Sequence, residues 1–175
     1  MEKEYSPVLD INLFPQNLKE FKYPGDIQPI IDKSYELQPE FHYNQSEFKY
    51  TSPSYHNQNI IEFSPLKEYI IKTVELNYQS KYFIEDMWVN IYAKDGYNGF
   101  HAHEPHQLVG VMFLQTPTTH PGIMFHDKTI PSHSYTFNPT PGSIVIFSGY
   151  LPHQSPPNPS DEDKISIAFN LEKIS

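Results

Sequence analysis

The sequence predicts a mainly β fold of the sandwich or jelly-roll class, with a supporting helical segment in its N-terminal part. Three observations carry that expectation. Short stretches of period-two hydrophobicity follow one another after Tyr82, separated by Gly or Pro turns. The 13 Tyr and 12 Phe are residue types that fit a pleated surface, and 17 Pro interrupt the chain too often for a helical bundle. At 175 residues with 38% hydrophobic content the chain can bury one substantial core, so residues 1–175 are read as a single domain.

Residues 1 to 60 carry short apolar clusters such as Val8, Ile11, Leu13 and Phe14. They are expected to form extended segments and loops, with one or two helical turns near Pro29 to Leu37. The one well-marked helix is expected at 64–78. Ser64 can cap it, Pro65 suits the first helical position, and Leu66, Ile70, Ile71 and Val74 recur at helical spacing. Residues 1–80 are thus a support region and 82–171 the core. From Tyr82 onward, Trp88, Asn90 and Tyr92 share one face of a strand while Met87, Val89 and Ile91 share the other. Further strands are expected at Gln107–Gln115, Gly122–His126, Ser143–Phe147 and Lys164–Leu171, and Pro152–Asp163 reads as a long polar loop.

Composition excludes several functions. With no cysteine there are no disulfides, iron-sulfur clusters or thiolate zinc sites, which leaves nine histidines as the main soft ligands. No apolar run is long enough to span a membrane and no basic-then-apolar leader opens the chain, so a soluble, cytoplasmic protein with no membrane partner is expected. A net charge of −9 opposes a phosphate backbone and makes nucleic acid a disfavoured partner. All twelve basic residues are lysine, a bias that matches the many Asn, Ile and Tyr and is explained by an AT-rich genome.

Seven of the nine histidines lie between positions 101 and 153, and two form His101-Ala102-His103. On a strand, positions i and i+2 project to one side, so both imidazoles can reach one metal ion. His153 follows the apolar segment Ser143 to Phe147 and is the third candidate. The strand from Lys164 places Lys164, Ser166, Ala168 and Asn170 on one face and apolar residues on the other. A lysine on a core strand requires an anion to neutralise it, whereas an edge strand would simply turn that face to solvent.

Together, Trp88-Val89-Asn90-Ile91-Tyr92, Gly96, His101-x-His103, Gly110, Pro141-Gly142, His153 and Lys164-x-Ser166-x-x-Phe169-Asn170 resemble the iron(II)/2-oxoglutarate oxygenase superfamily. The chain is most similar to the branch found in phage and marine bacterial genomes, which in turn resembles the prolyl 4-hydroxylases. The resemblance covers residues 82–171, with a weaker echo in the helix at 64–78 and in Leu13-Phe14-Pro15. It implies a double-stranded β-helix (jelly-roll) that holds Fe(II) and uses 2-oxoglutarate and dioxygen to hydroxylate a C–H bond, releasing succinate and carbon dioxide. It makes His101 and His153 metal ligands and puts His103 where a carboxylate usually stands. Asn90 and Tyr92 match residues that contact 2-oxoglutarate. Lys164 takes the place of the arginine that grips its distal carboxylate, and Ser166 adds a hydroxyl there.

Two departures follow. Three neutral imidazoles suit zinc as well as iron, and Glu104 or Asp127 would restore a carboxylate if the backbone turned it inward. Lysine offers a point charge where arginine offers a planar fork, which transfers part of the orienting role to Ser166 and Tyr92. The aromatic set Tyr82, Trp88, Tyr97, Phe100 and Phe113 either lines a pocket or fills the core. His106, His120, His126 and His133 read as surface or loop residues of which one touches substrate, and His42 and His56 carry no role. Two other readings fit parts of the pattern: a non-enzymatic jelly-roll binding module, and a three-histidine cupin-type dioxygenase that needs no keto acid. A peptidyl proline is the first substrate expectation and a small metabolite the second.

Overall fold

The computed structural model describes residues 2–13, 16–55, 60–119, 121–130 and 132–174. Twelve strands and two α-helices occur among them. The strands are β1 (Leu9–Leu13), β2 (Gln16–Lys22), β3 (His42–Asn44), β4 (Lys49–Thr51), β5 (Tyr82–Tyr92), β6 (Asn98–His101), β7 (Leu108–Gln115), β8 (Ile123–His126), β9 (Ser134–Phe137), β10 (Ser143–Ser148), β11 (His153–Ser155) and β12 (Lys164–Lys173). The helices are α1 (Gln28–Leu37) and α2 (Ser64–Tyr78). Phe14, Pro15, His56 and His120 lie outside the described residues.

Two antiparallel sheets form. The larger runs β1-β2-β10-β7-β12-β5-β4-β3 and the smaller β6-β11-β8-β9. Side-chain alternation along β5 and β12 divides the interior in two. Met87, Val89 and Ile91, with Ile165, Ile167, Phe169 and Leu171, point to the helical side and pack with Leu66, Ile70 and Val74 of α2. A separate cluster on the other face of the sheet joins Val109, Phe113 and Phe147 to Ile123 and Phe125 of the smaller sheet. The even-numbered residues of β12 are therefore turned away from the helical core and toward the space between the sheets.

The helix at 64–78 has the expected bounds but a different start. Phe63 is the N-cap, Pro65 occupies the first turn, and no side chain caps the end. A short 3-10 turn, Ile61–Phe63, leads directly into the helix, and the Ser64 hydroxyl bonds instead to the Ile60 carbonyl at 3.2 Å. The first 60 residues form the expected extended segments, and the helical turns near Pro29 to Leu37 grow into the ten-residue α1. They supply both edges of the larger sheet, β1-β2 on one side and β4-β3 on the other.

Two further expectations are corrected. His101 closes β6 but His103 lies beyond it, in the turn that precedes β7, so the pair does not sit on one regular strand. The polar stretch 152–163 is not all loop, because His153–Ser155 forms β11 between β6 and β8. Its remainder is pinned by the fully buried Asn158, whose amide donates to the carbonyls of Tyr92 (3.2 Å) and Glu162 (2.8 Å). β12 is flanked by β5 and β7, so it is a central strand and not an edge. Among the described residues, no helix is long and apolar enough to cross a membrane.

Candidate metal centre and cosubstrate pocket

β6 and β11 pair with His101 directly opposite His153, which brings two imidazoles together across the strands. The turn after β6 swings His103 over the same point. Ring centroids lie 4.3 Å apart for His101 and His153, 5.0 Å for His101 and His103, and 5.2 Å for His103 and His153. One ring nitrogen from each falls within 4.8 Å of the others. Trp88 stacks along His103 with its ring 6.0 Å away, and Phe147 meets His153 edge-on at 4.9 Å.

Hydrogen bonds fix which nitrogen faces the centre. Nδ1 of His101 lies 2.7 Å from the Gly99 carbonyl, and Nδ1 of His153 lies 3.0 Å from the Leu151 carbonyl. A carbonyl can only accept, so each Nδ1 carries the proton and each Nε2 keeps its lone pair. His103 Nδ1 is likewise 2.9 Å from Oδ1 of Asn170, on β12. Burial is the main cause of the depressed basicity of all three rings, and the neighbouring imidazoles lower it further for His103 and His153. His153 is pushed down to about 3, His103 to about 4, and His101 below its ordinary value. At neutral pH the cluster presents three uncharged nitrogen donors, the form that coordinates a divalent ion. That donor set fits iron(II) and zinc alike.

The carboxylate alternatives are elsewhere. Glu104 is exposed and pairs with Lys128 at 2.5 Å, while Asp127 accepts from the Thr129 (2.7 Å) and Ile130 (3.2 Å) backbone amides. Neither joins the histidine cluster.

A cavity of about 40 Å³ extends from the histidines between the two sheets. Asn90, Tyr92, Lys164 and Ser166 line it away from the rings, with Trp88 and Phe113 as its aromatic walls. Of the other aromatic candidates, Tyr82 belongs to the helical-side core, Phe100 is 58% exposed against His126, and Tyr97 does not line the pocket. Lys164 is 2% exposed. Its amine donates to Ser155 Oγ at 2.5 Å and lies 4.8 Å from the Tyr92 ring and 5.7 Å from that of Phe113. Among the described residues no carboxylate pairs with it, and burial pulls its pKa down to about 7. Burial also pushes the Tyr92 phenol up, with the Ser166 hydroxyl opposing. Asn90 Oδ1 accepts from Thr51 at 3.0 Å.

With that geometry in view, the comparisons become informative. Residues 86–170 match the family model described as "Putative 2OG-Fe(II) oxygenase". That stretch, just under half of the chain, is thus similar to the 2OG-Fe(II) oxygenases. No curated protein matches the chain. Among solved structures, a collagen prolyl hydroxylase of Paramecium bursaria Chlorella virus 1 in a 2OG complex is 14% identical, with a TM-score of 0.66 over 90% of this chain and 96% of that one. A prolyl hydroxylase from Trichoplax adhaerens, in complex with a peptide of hypoxia inducible factor, is 10% identical at a TM-score of 0.69 (88% and 82% covered). The alpha-ketoglutarate-dependent epimerase SnoN of nogalamycin biosynthesis is 12% identical at 0.72 (89% and 77%). These likenesses establish the double-stranded β-helix. The oxygenase family uses Fe(II), 2-oxoglutarate and dioxygen, and the three-histidine cluster and buried lysine sit inside its matched stretch.

Several contributors to the site were not singled out from sequence. Asn170 belongs to the quoted motif, yet its contact with His103 spans 67 positions. Ser155 could have been found two residues after His153 had β11 been recognised. Asn98 and Lys49 carried no sequence signal. Of the remaining histidines, His106 lies between Glu172 (2.9 Å) and Glu85 (3.1 Å), and His42 and His133 are exposed.

Proposed function

We propose that this chain is a dioxygenase that hydroxylates a C–H bond of a second molecule, with His101, His103 and His153 holding Fe(II) and Lys164 and Ser166 anchoring 2-oxoglutarate. The observation that carries the reading is the pairing of two ends of one pocket: three imidazole lone pairs at one end, and at the other a buried amine that no carboxylate among the described residues pairs with. A buried cation of this kind is costly until an anion reaches it, and a dicarboxylate keto acid supplies one. Bound iron(II) supplies the one-electron chemistry that couples decarboxylation of the keto acid to activation of dioxygen. One oxygen atom enters succinate and the other the hydroxylated product, with carbon dioxide as the second coproduct.

The chain's own share is positional. The three Nδ1 bonds hold the rings so that three lone pairs converge, and an ion held there would be gripped by these three imidazoles alone among the described residues. Lys164 and Ser166 grip the distal carboxylate, and Asn90 and Tyr92 line the cavity between. Trp88 and Phe113 keep the cavity apolar, which strengthens each polar contact within it.

A proline side chain in a protein is our first substrate, because prolyl hydroxylases, one of them bound to a peptide, share the fold at high coverage. Small molecules are the second, given that an epimerase of nogalamycin biosynthesis shares it as well. Anaerobic loading with Fe(II), addition of 2-oxoglutarate and air, and measurement of succinate test the reading. Succinate with matching carbon dioxide is expected, rising when a peptide library contains the substrate and accompanied by a product one oxygen heavier. The absence of the usual carboxylate favours one rival, a three-histidine dioxygenase that uses no keto acid. That rival, like a plain metal-binding module, yields no succinate.

A further inference from the structure

The assigned residues account for the distal carboxylate of the keto acid and leave the carboxylate beside the metal without a protein partner. Asn98, at the start of β6, stands beside the histidine end of the pocket. Its Nδ2 is 3.3 Å from Nε2 of His101, the nitrogen that faces the cluster, and its side chain lines the pocket.

The sense of this amide is set by Lys49. The Lys49 ammonium lies 2.5 Å from Oδ1 of Asn98, and an ammonium can only donate. The oxygen of Asn98 is thereby committed to Lys49, and its N–H group is turned toward His101. Lys49 is 8% exposed and is itself held by Glu47 at 2.9 Å. Glu47 in turn accepts from Asn44 at 2.7 Å and from the Gly99 amide at 3.3 Å. A chain of fixed polar groups from β3, β4 and their connecting turn thus aims one N–H donor at the metal end of the pocket.

Metal loading changes the partner of that donor. Once a divalent ion takes the His101 lone pair, the partly buried Asn98 N–H loses that acceptor and is left to seek another inside the pocket. We propose that Asn98 binds the metal-proximal carboxylate of the keto acid, with Lys49 as the positioning residue that holds the amide in its donating sense. This inference rests on the function proposed above and extends it to the residue that recognises the 2-oxo acid end of the cosubstrate. It gives the pocket two independent carboxylate grips, Asn98 near the histidines and Lys164 at the far end.

The two grips are separable with two probes. 2-Oxoglutarate carries both carboxylates, whereas pyruvate carries only the 2-oxo acid end. Equilibrium binding of each to the Co(II)-loaded protein, followed by the cobalt absorption bands and by calorimetry, reads affinity without turnover. In Asn98→Ala both probes should bind about tenfold more weakly or worse, the loss typical of a hydrogen bond to a charged group, with Co(II) affinity and melting temperature kept. In Lys164→Ala only 2-oxoglutarate should weaken. Asn98→Asp keeps the Lys49 contact and the side-chain volume but turns a carboxylate oxygen toward the pocket, so both probes should weaken further than in the alanine variant. Lys49→Met should lower both affinities in parallel, by less than Asn98→Ala. Unchanged binding of 2-oxoglutarate in Asn98→Ala and Asn98→Asp overturns the inference while the oxygenase reading stands. Loss confined to Co(II) affinity also overturns it, because Asn98 would then act only on His101. Failure of the unsubstituted protein to bind 2-oxoglutarate removes both.

Discussion

If Lys164 anchors the keto acid as proposed, its buried amine should make cosubstrate binding a proton-coupled event. It is 2% exposed, its hydrogen-bond partner is the neutral hydroxyl of Ser155, and burial holds its pKa at about 7. Only the protonated amine can make a charge-assisted bond to a carboxylate. Well below pH 7 the free protein already carries that proton, so affinity for 2-oxoglutarate should be level there. Above it, binding must take up a proton, and each further pH unit weakens the apparent affinity about tenfold, equivalent to ~1.4 kcal/mol. The charged fraction falls from about nine-tenths at pH ~6 to about one-tenth at pH ~8, so the dissociation constant should rise roughly tenfold between them. Calorimetric titration of the Co(II)-loaded protein in two buffers of different ionisation enthalpy measures the affinity and the proton uptake together. Uptake near one proton at the higher pH and near none at the lower is expected. Pyruvate, which lacks the distal carboxylate, should show neither effect. A dissociation constant that stays level across this range, with no proton taken up, would falsify the argument, since the amine would then be fully charged before the keto acid arrives.

Two further outcomes follow from the histidines. Their folded-state pKa values lie below the ordinary imidazole value, so the unfolded chain binds more protons as pH falls through about 6.5; stability is full above that pH and is lost on acidification toward about 4 and 3 for His103 and His153. The apoprotein should lose about 1.4 kcal/mol per pH unit for each of these rings over that window, seen as a falling urea midpoint, and a midpoint that does not move between pH ~7 and ~5 would contradict their neutral burial. Asn170→Ala removes the acceptor that orients His103 and should weaken Co(II) binding by roughly ten- to a hundredfold, whereas Asn170→Asp, which still accepts from Nδ1, should recover most of it; equal loss in both variants would mean the contact does not orient the ring.

How far the sequence could be read depended on the length of each element. α2 spans fifteen residues and β5 eleven, long enough to display a period, and their bounds were legible. β11 has three residues in a Pro-rich polar stretch, too few to show alternation, so His153 was expected from a loop although it stands on a strand. His103 shows the opposite case: the i, i+2 rule brought it to the right neighbours for a reason the structure does not share, since it leaves β6 and reaches the cluster through a turn held by Asn170. Burial of Lys164 on a polar face was legible because β12 is ten residues long and its apolar face is uninterrupted. The Glu47, Lys49 and Asn98 relay was not, because it depends on β4 pairing with β5 across some forty positions, a contact that no local pattern announces.

The placement of β12 has a consequence for how the protein comes to be assembled. This one strand carries Lys164 and Ser166 near one end and Asn170 near the other, and it zips against both β5 and β7. Until both of those seams have closed, the turn bearing His103 lacks its tether and the lysine lacks its enclosure. On the proposed assignment the full ligand set and the enclosed amine exist together only in the closed scaffold, so ion and keto acid would each add resistance to unfolding in proportion to occupancy.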